Sequence, residues 1–197
     1  MQVPKSPLAC LLAAFVLATS SAPSLGATDD GRDARADVVS RPLTTDAPPT
    51  KAEPARRLGD IIATSASIGT DLVVTTRFRN LAAIGHQQYS WQLLTSEDEF
   101  SWSAALFVAP GSNQGKFELI DPIANQPDCG TAVLDRSRRT VTLTIPAACL
   151  GNPDWVKVGN GVFFYTATRE YSDDARRDGV VRNTGWKFGP KFGPGLH

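Results

Sequence analysis

The sequence predicts an all-β protein: an antiparallel β-sandwich of about eight strands, jelly-roll-like in its winding and closed by one disulfide. Three observations carry this expectation. Between Leu58 and Thr168 apolar residues recur at alternate positions, in runs of roughly 4 to 8 residues separated by turn-forming residues, which is the pattern of half-buried strands. The same region has no apolar stripe of helical period, so nothing supplies the crossovers a parallel sheet needs. Once the apolar N-terminal run is set aside, two cysteines remain, Cys129 and Cys149.

The strands follow in order. Ile62, Thr64, Ala66 and Ile68 alternate on one face, IGTD turns the chain, and Leu72, Val74, Thr76 and Phe78 alternate again as the second arm of a hairpin. YSWQLL places Tyr89, Trp91 and Leu93 on one side; SEDE is a polar turn; WSAALFV carries Trp102, Ala104, Leu106 and Val108. KFELID sets Phe117 and Leu119 inward. TAVL, DRSRR and TVTLTI give a strand, a charged turn and a strand with Val141, Leu143 and Ile145 inward. Ile145-Pro146 ends that strand because proline has no N–H for the ladder, and Asn152-Pro153 resets the chain before Trp155 and the last run, WVKVGNGVFFYT. No tryptophan falls between Cys129 and Cys149, so the Cys-Trp-Cys order of antibody domains is absent, which favours jelly-roll over immunoglobulin winding.

The N-terminus sets the compartment. Lys5 precedes LACLLAAFVLA and a run of small residues, the form of a secretory signal over residues 1–27, with cleavage after Ala22 or Ala27. The apolar stretch is shorter than the roughly 20 residues that span a bilayer, so no transmembrane anchor is expected after signal removal. The protein is expected to be secreted, extracellular or associated with the cell envelope. In that oxidising setting Cys129 and Cys149 most simply pair; free thiols or zinc ligands are the alternative. Twenty Lys plus Arg balance twenty Asp plus Glu, so no nucleic-acid footprint is present. Residues 28–57, rich in Asp, Arg, Pro and Thr, read as a disordered spacer. Residues 58–172 form the domain, and 173–197 a polar tail containing the doubled KFGP.

Candidate chemistry is sparse, and no catalytic set is assembled. There is no Gly-x-Ser-x-Gly elbow, and His86 in the loop IGHQQ has no adjacent carboxylate or nucleophile. Glu97, Asp98 and Glu99 share one turn, which offers carboxylates for glycoside hydrolysis or simply a solvated tip. Asp60 before the first strand and Asp173 with Asp174 after the last would converge if those strands meet, giving oxygen ligands for calcium; capping and turn roles are the alternative. Tyr89, Trp91 and Trp102 would form a platform for a sugar ring if they face outward, or core if they face inward.

The blocks VTLTIPAACLGNPDWVKV, GDIIATSASIGTDLVVTTRFRNL and YSDDARRDG resemble a recurrent family of small secreted actinobacterial proteins. The resemblance covers about Gly59 to Asp178 and implies a β-sandwich related in outline to carbohydrate-binding and DOMON-like domains. It brings the pair Cys129 and Cys149, Asp60, and Asp173 with Asp174, and it transfers no catalytic residue. The expected function is therefore an exported, non-enzymatic binding or interaction module for an envelope glycan or a protein partner. A carboxylate-based glycan hydrolase and a purely structural secreted protein are the alternatives.

Overall fold

The computed structural model describes residues 27–44, 51–98, 100–176, 183–184, 187–188 and 190–197. The expected signal segment, apart from Ala27, lies outside them, as does Trp186. The chain forms strands β1 (Thr28–Arg32), β2 (Val39–Pro42), β3 (Lys51–Ala52), β4 (Ile61–Ile68), β5 (Asp71–Phe78), β6 (His86–Thr95), β7 (Trp102–Val108) and β8 (Gly115–Ile120). These are followed by β9 (Thr131–Asp135), β10 (Thr140–Pro146), a 3-10 helix (Ala147–Leu150), β11 (Val156–Tyr165), β12 (Arg169–Asp174), β13 (Asn183–Thr184), β14 (Lys187–Phe188) and β15 (Gly195–Leu196). Among the described residues no helix is long and apolar enough to cross a membrane.

Two antiparallel sheets make the expected sandwich. One runs β1-β4-β5-β10-β9 and the other β3-β2-β12-β11-β6-β7-β8, with β15 also on β11. Reading β4 to β12 in chain order, β4, β5, β10 and β9 stand where strands A, B, E and D stand in a variable-type immunoglobulin sandwich. Correspondingly, β12, β11, β6, β7 and β8 stand where G, F, C, C′ and C″ stand. The strand order is thus that of an immunoglobulin Greek key rather than of a jelly roll. The missing Cys-Trp-Cys order misleads because it tracks where a disulfide sits, not how strands are ordered. Here Cys129 and Cys149 pair with Cα atoms 6.3 Å apart, closing the base of the β9–β10 hairpin instead of joining the sheets.

Residues 28–57, expected as a spacer, instead supply β1, β2 and β3. β1 pairs along β4 from Thr28↔Ser67 to Arg32↔Ala63, and β2 pairs with β12 from Val39↔Ser172 to Pro42↔Arg169. β1 and β3 are edge strands and β2 lies just inside β3; all are held through backbone hydrogen bonds, with Val38 and Val39 buried, so their polar composition hides them. The polar C-terminal stretch is also partly sheet. β12 extends past Thr168 and contains Asp173 and Asp174, while Leu196 is buried and pairs with Val156. Gly193 N–H donates to Val158 O at 2.8 Å. The strand beside β11 is therefore built in two pieces, β12 and β15, with an excursion between them.

Alternation places the core as expected along β5, β6, β7 and β10. In β4 a bulge between Ile61 and Ala63 shifts it, so Ile61 rather than Ile62 is fully buried. Phe78, Tyr89 and Phe164 meet edge to face, with centroids 5.5 and 6.2 Å apart. Asn160 crosses between the sheets, donating from Nδ2 to Thr64 Oγ1 at 3.1 Å and Thr76 Oγ1 at 2.9 Å.

Candidate functional site

The sequence leaves Tyr89, Trp91 and Trp102 open between core and platform; the structure puts all three inside. They are 1%, 1% and 9% exposed, so they cannot present a stacking surface, and that reading is corrected. Tyr89 donates its hydroxyl to Gln87 Oε1 at 2.7 Å, and Trp102 donates its indole N–H to Asp98 Oδ2 at 2.6 Å. Asp98 of the acidic turn is thereby committed to holding a core tryptophan. His86 opens β6, exposed to solvent and opposite Tyr165.

The acidic residues assemble differently from expectation. Asp60 stands near Asp173 as the smallest of the charges that raise it, but Asp174 leaves the group: it lies opposite Gly161, on the outer side of the sheet. It accepts Arg176 N–H at 3.0 Å and Lys191 N–H at 2.9 Å, pinning the two ends of the excursion. Its place is taken by Asp33 and Asp37 from the β1–β2 connection. One carboxylate oxygen from each of Asp33, Asp37 and Asp173 lies within 4.8 Å of the others.

Local backbone geometry builds this centre. The β4 bulge frees Ile62 O to accept Asp33 N–H and frees Ile61 N–H to donate to Asp173 Oδ2 at 2.7 Å. Ala36 takes a left-handed conformation, φ 67°, and donates its N–H to Asp60 Oδ2 at 3.1 Å. Arg79 Nη1 reaches the same oxygen at 3.0 Å. Asp60 Oδ1 and Asp33 Oδ2 are enclosed, and no donor of the described protein residues bonds them.

The electrostatic consequence is an acid-stabilising site. Burial, then the neighbouring Asp37 charge, pushes Asp33 up to about 8, against the opposing Ala34 N–H, with Asp174 and Asp60 adding to the rise. Asp173 is held well above the ordinary carboxyl range, first by burial and then by Asp33 and Asp37. The pair Asp33 and Asp37 escapes sequence reading because it lies in a segment whose composition signals no strand. Its one visible trace is the spacing DARAD, meaningful only once β1 and β2 are known to flank it.

A second feature lies on the outer face of β6, β7, β8 and β11. A groove of about 230 Å³ is lined there by Gln88, Gln92, Ser103, Phe107, Glu118 and Phe163, among others. Phe107 is 39% exposed. The polar groups are preset by one another: Gln88 Nε2 donates to Ser90 Oγ at 3.0 Å, Gln92 Nε2 to Ser103 Oγ at 2.9 Å, and Ser101 Oγ to Gln92 Oε1 at 2.8 Å. Pro190 of the returning chain forms part of the wall. Gly159 permits that approach, since a Cβ there would stand 2.8 Å from Pro190 O.

Fold and site together define a disulfide-stapled β-sandwich of immunoglobulin strand order, with a buried acidic centre where its N-terminal strands join and a groove on one outer face. No family model, curated protein or solved structure matches the chain.

Proposed function

We propose that the chain is an exported, non-enzymatic binding module that takes a neutral saccharide of the cell envelope in the outer-face groove. The observation that carries this reading is the groove's lining: a half-open phenyl ring, Phe107, beside side-chain amides and hydroxyls held in place by mutual hydrogen bonds. Apolar walls with a few oriented polar groups suit small ligands, and an aromatic ring suits the apolar face of a sugar. The secretory signal read from the sequence supplies the compartment. Glu118 is the carboxylate in the lining, and Lys116 Nζ engages it at 2.6 Å. Hydrolysis calls for two carboxyls facing each other across the bond, so the lining favours binding over cleavage.

The test is a glycan array probed with the secreted protein, followed by titration calorimetry on the best glycan with wild type and Phe107→Ala. Enrichment over a denatured control, weakened about tenfold or more by the substitution, is the expected outcome. Stacking contributes roughly 1 to 2 kcal/mol, and 1.4 kcal/mol is a factor of ten. No enrichment, or binding indifferent to Phe107→Ala, overturns the saccharide reading.

A further inference from the structure

We propose that the outer face of the β1-β4-β5-β10 sheet carries a second ligand site, a hollow between Arg32 and Arg77 that takes an acidic saccharide by its carboxylate. The site lies on the sheet opposite the groove, shares no residue with it and does not rest on the neutral-saccharide reading.

Strand pairing sets the side chains of this face in rows. Arg32 lies beside Ala63, Ala63 beside Arg77, and Arg77 beside Thr140. In the next row along the strands stand Asp30, Ser65, Thr75 and Thr142. These residues point away from the core, because the residues that alternate with them, Thr64, Thr76 and Val141 among them, are buried. The two arginines are therefore two strand spacings apart, about 9.6 Å between their backbones, with only the methyl group of Ala63 between them. So small a residue between two long ones leaves a hollow of about 340 Å³, lined by Asp30, Arg32, Ser65, Thr75, Arg77 and Thr140 among others.

The lining identifies the ligand's class. Arg41, Arg79, Arg169 and Arg176 are each paired with a carboxylate, whereas among the described residues Arg32 and Arg77 make no ion pair and no side-chain hydrogen bond. Both are exposed, so their donors are open to a ligand. A guanidinium presents a planar fork that matches an oxyanion, and two on one hollow disfavour a cation. Asp30 narrows the choice. Its carboxylate leaves the lining with a single net positive charge and can only accept hydrogen bonds when ionised. A fitting ligand thus brings one negative charge for the guanidiniums and hydroxyl donors for Asp30. A uronic acid sugar has both; a phosphate dianion is repelled by Asp30, and a neutral sugar leaves the guanidiniums unused. No aromatic ring lines the hollow, so recognition here is by charge and hydrogen bonding and weakens as salt is added.

The experiment titrates the full chain by calorimetry with a galacturonic acid oligomer, with its fully methyl-esterified form, and with sodium acetate at matched ionic strength. The ester keeps the hydroxyls and loses the charge; acetate keeps the charge and lacks the hydroxyls. We expect the acid oligomer to bind and each control to bind about tenfold more weakly or less. Arg32→Gln and Arg77→Gln should each weaken the acid oligomer by about tenfold or more. Both side chains are exposed, so the melting temperature of each variant should stay near that of wild type. No binding of the acid oligomer overturns the proposal, as does equal binding of the ester. Acetate binding as well as the oligomer would mean general attraction of anions and overturns it too. Binding lost in Phe107→Ala but kept in both arginine variants would put the acidic sugar in the groove and overturn the assignment to this face.

Discussion

Asp173 Oδ2 accepts the backbone N–H of Ile61 at 2.7 Å, joining residues 112 positions apart. Ile61 sits at the bulge that opens β4, and Asp173 lies in β12, so one hydrogen bond fastens one sheet to the other. The same bond delivers Asp173 to Asp33 and Asp37, so a structural contact also concentrates negative charge.

This concentration predicts an inverted pH dependence. The folded state holds Asp33 at about 8, against an ordinary value of 3.8, and raises Asp173 as well. Between those values the folded chain binds more protons than the unfolded one, so stability falls as pH rises. The charged groups acting on Asp33 and Asp173, besides each other, are Asp37, Asp174 and Asp60, with Arg79 bonded to Asp60. Thermal melts should show the melting temperature dropping from about pH 4 to about pH 8 and levelling above. Asp33→Asn should flatten the slope; a melting temperature that rises through this window would contradict the assignment.

Arg79→Ala removes the one cation bonded to Asp60. Breaking a buried ion pair costs about 3 to 5 kcal/mol when the remaining charge is trapped. Asp60 is fully enclosed but Arg79 is 31% exposed, so the loss should fall near the lower end, about 3 kcal/mol in urea melts. Arg79→Lys should recover part of it. A loss below about 1 kcal/mol would mean that the pair contributes no more than an exposed ion pair does.

The sequence makes legible what depends on alternation and hides what depends on pairing. β5, β6, β7 and β10 follow their period-two pattern because each buries one face against the opposite sheet. β1 buries no face, and its partner β4 supplies hydrogen bonds rather than apolar contact. Its TDDGR has the composition of an unfolded leader. The bulge at Ile61 has no local signature, so Ile62 is assigned the inward role one residue out of place. The acidic centre is half legible for the same reason: Asp60 and Asp173 flank recognisable strands, whereas Asp33 and Asp37 belong to a turn that exists only once β1 and β2 have paired.

The disulfide should act locally. Cys129 precedes β9, an edge strand paired only with β10, and Cys149 lies in the 3-10 helix after β10. Replacing both with serine reopens a loop of sequence separation 20 and should cost about 3 kcal/mol. Hydrogen exchange should accelerate at Thr131–Asp135 well before Leu72–Phe78 loses protection. Uniform loss across both sheets would show instead that β9 is essential to the whole core.

If the proposed signal is cleaved, Ala27 distinguishes between the two cleavage points. Ala27 N–H donates to His197 O at 3.1 Å, and Ala27 O accepts Ile68 N–H. Cleavage after Ala27 would remove both bonds and place a charged amine on Thr28, directly opposite Ser67 in the ladder. Cleavage after Ala22 leaves Ala27 in place and satisfies the small-residue rule with Ser20 and Ala22. Mass spectrometry of the secreted protein should therefore find Pro23 at its start. A chain beginning at Thr28 would show that β1 is held without those bonds, and its melting temperature should not change when residues 23–27 are added back.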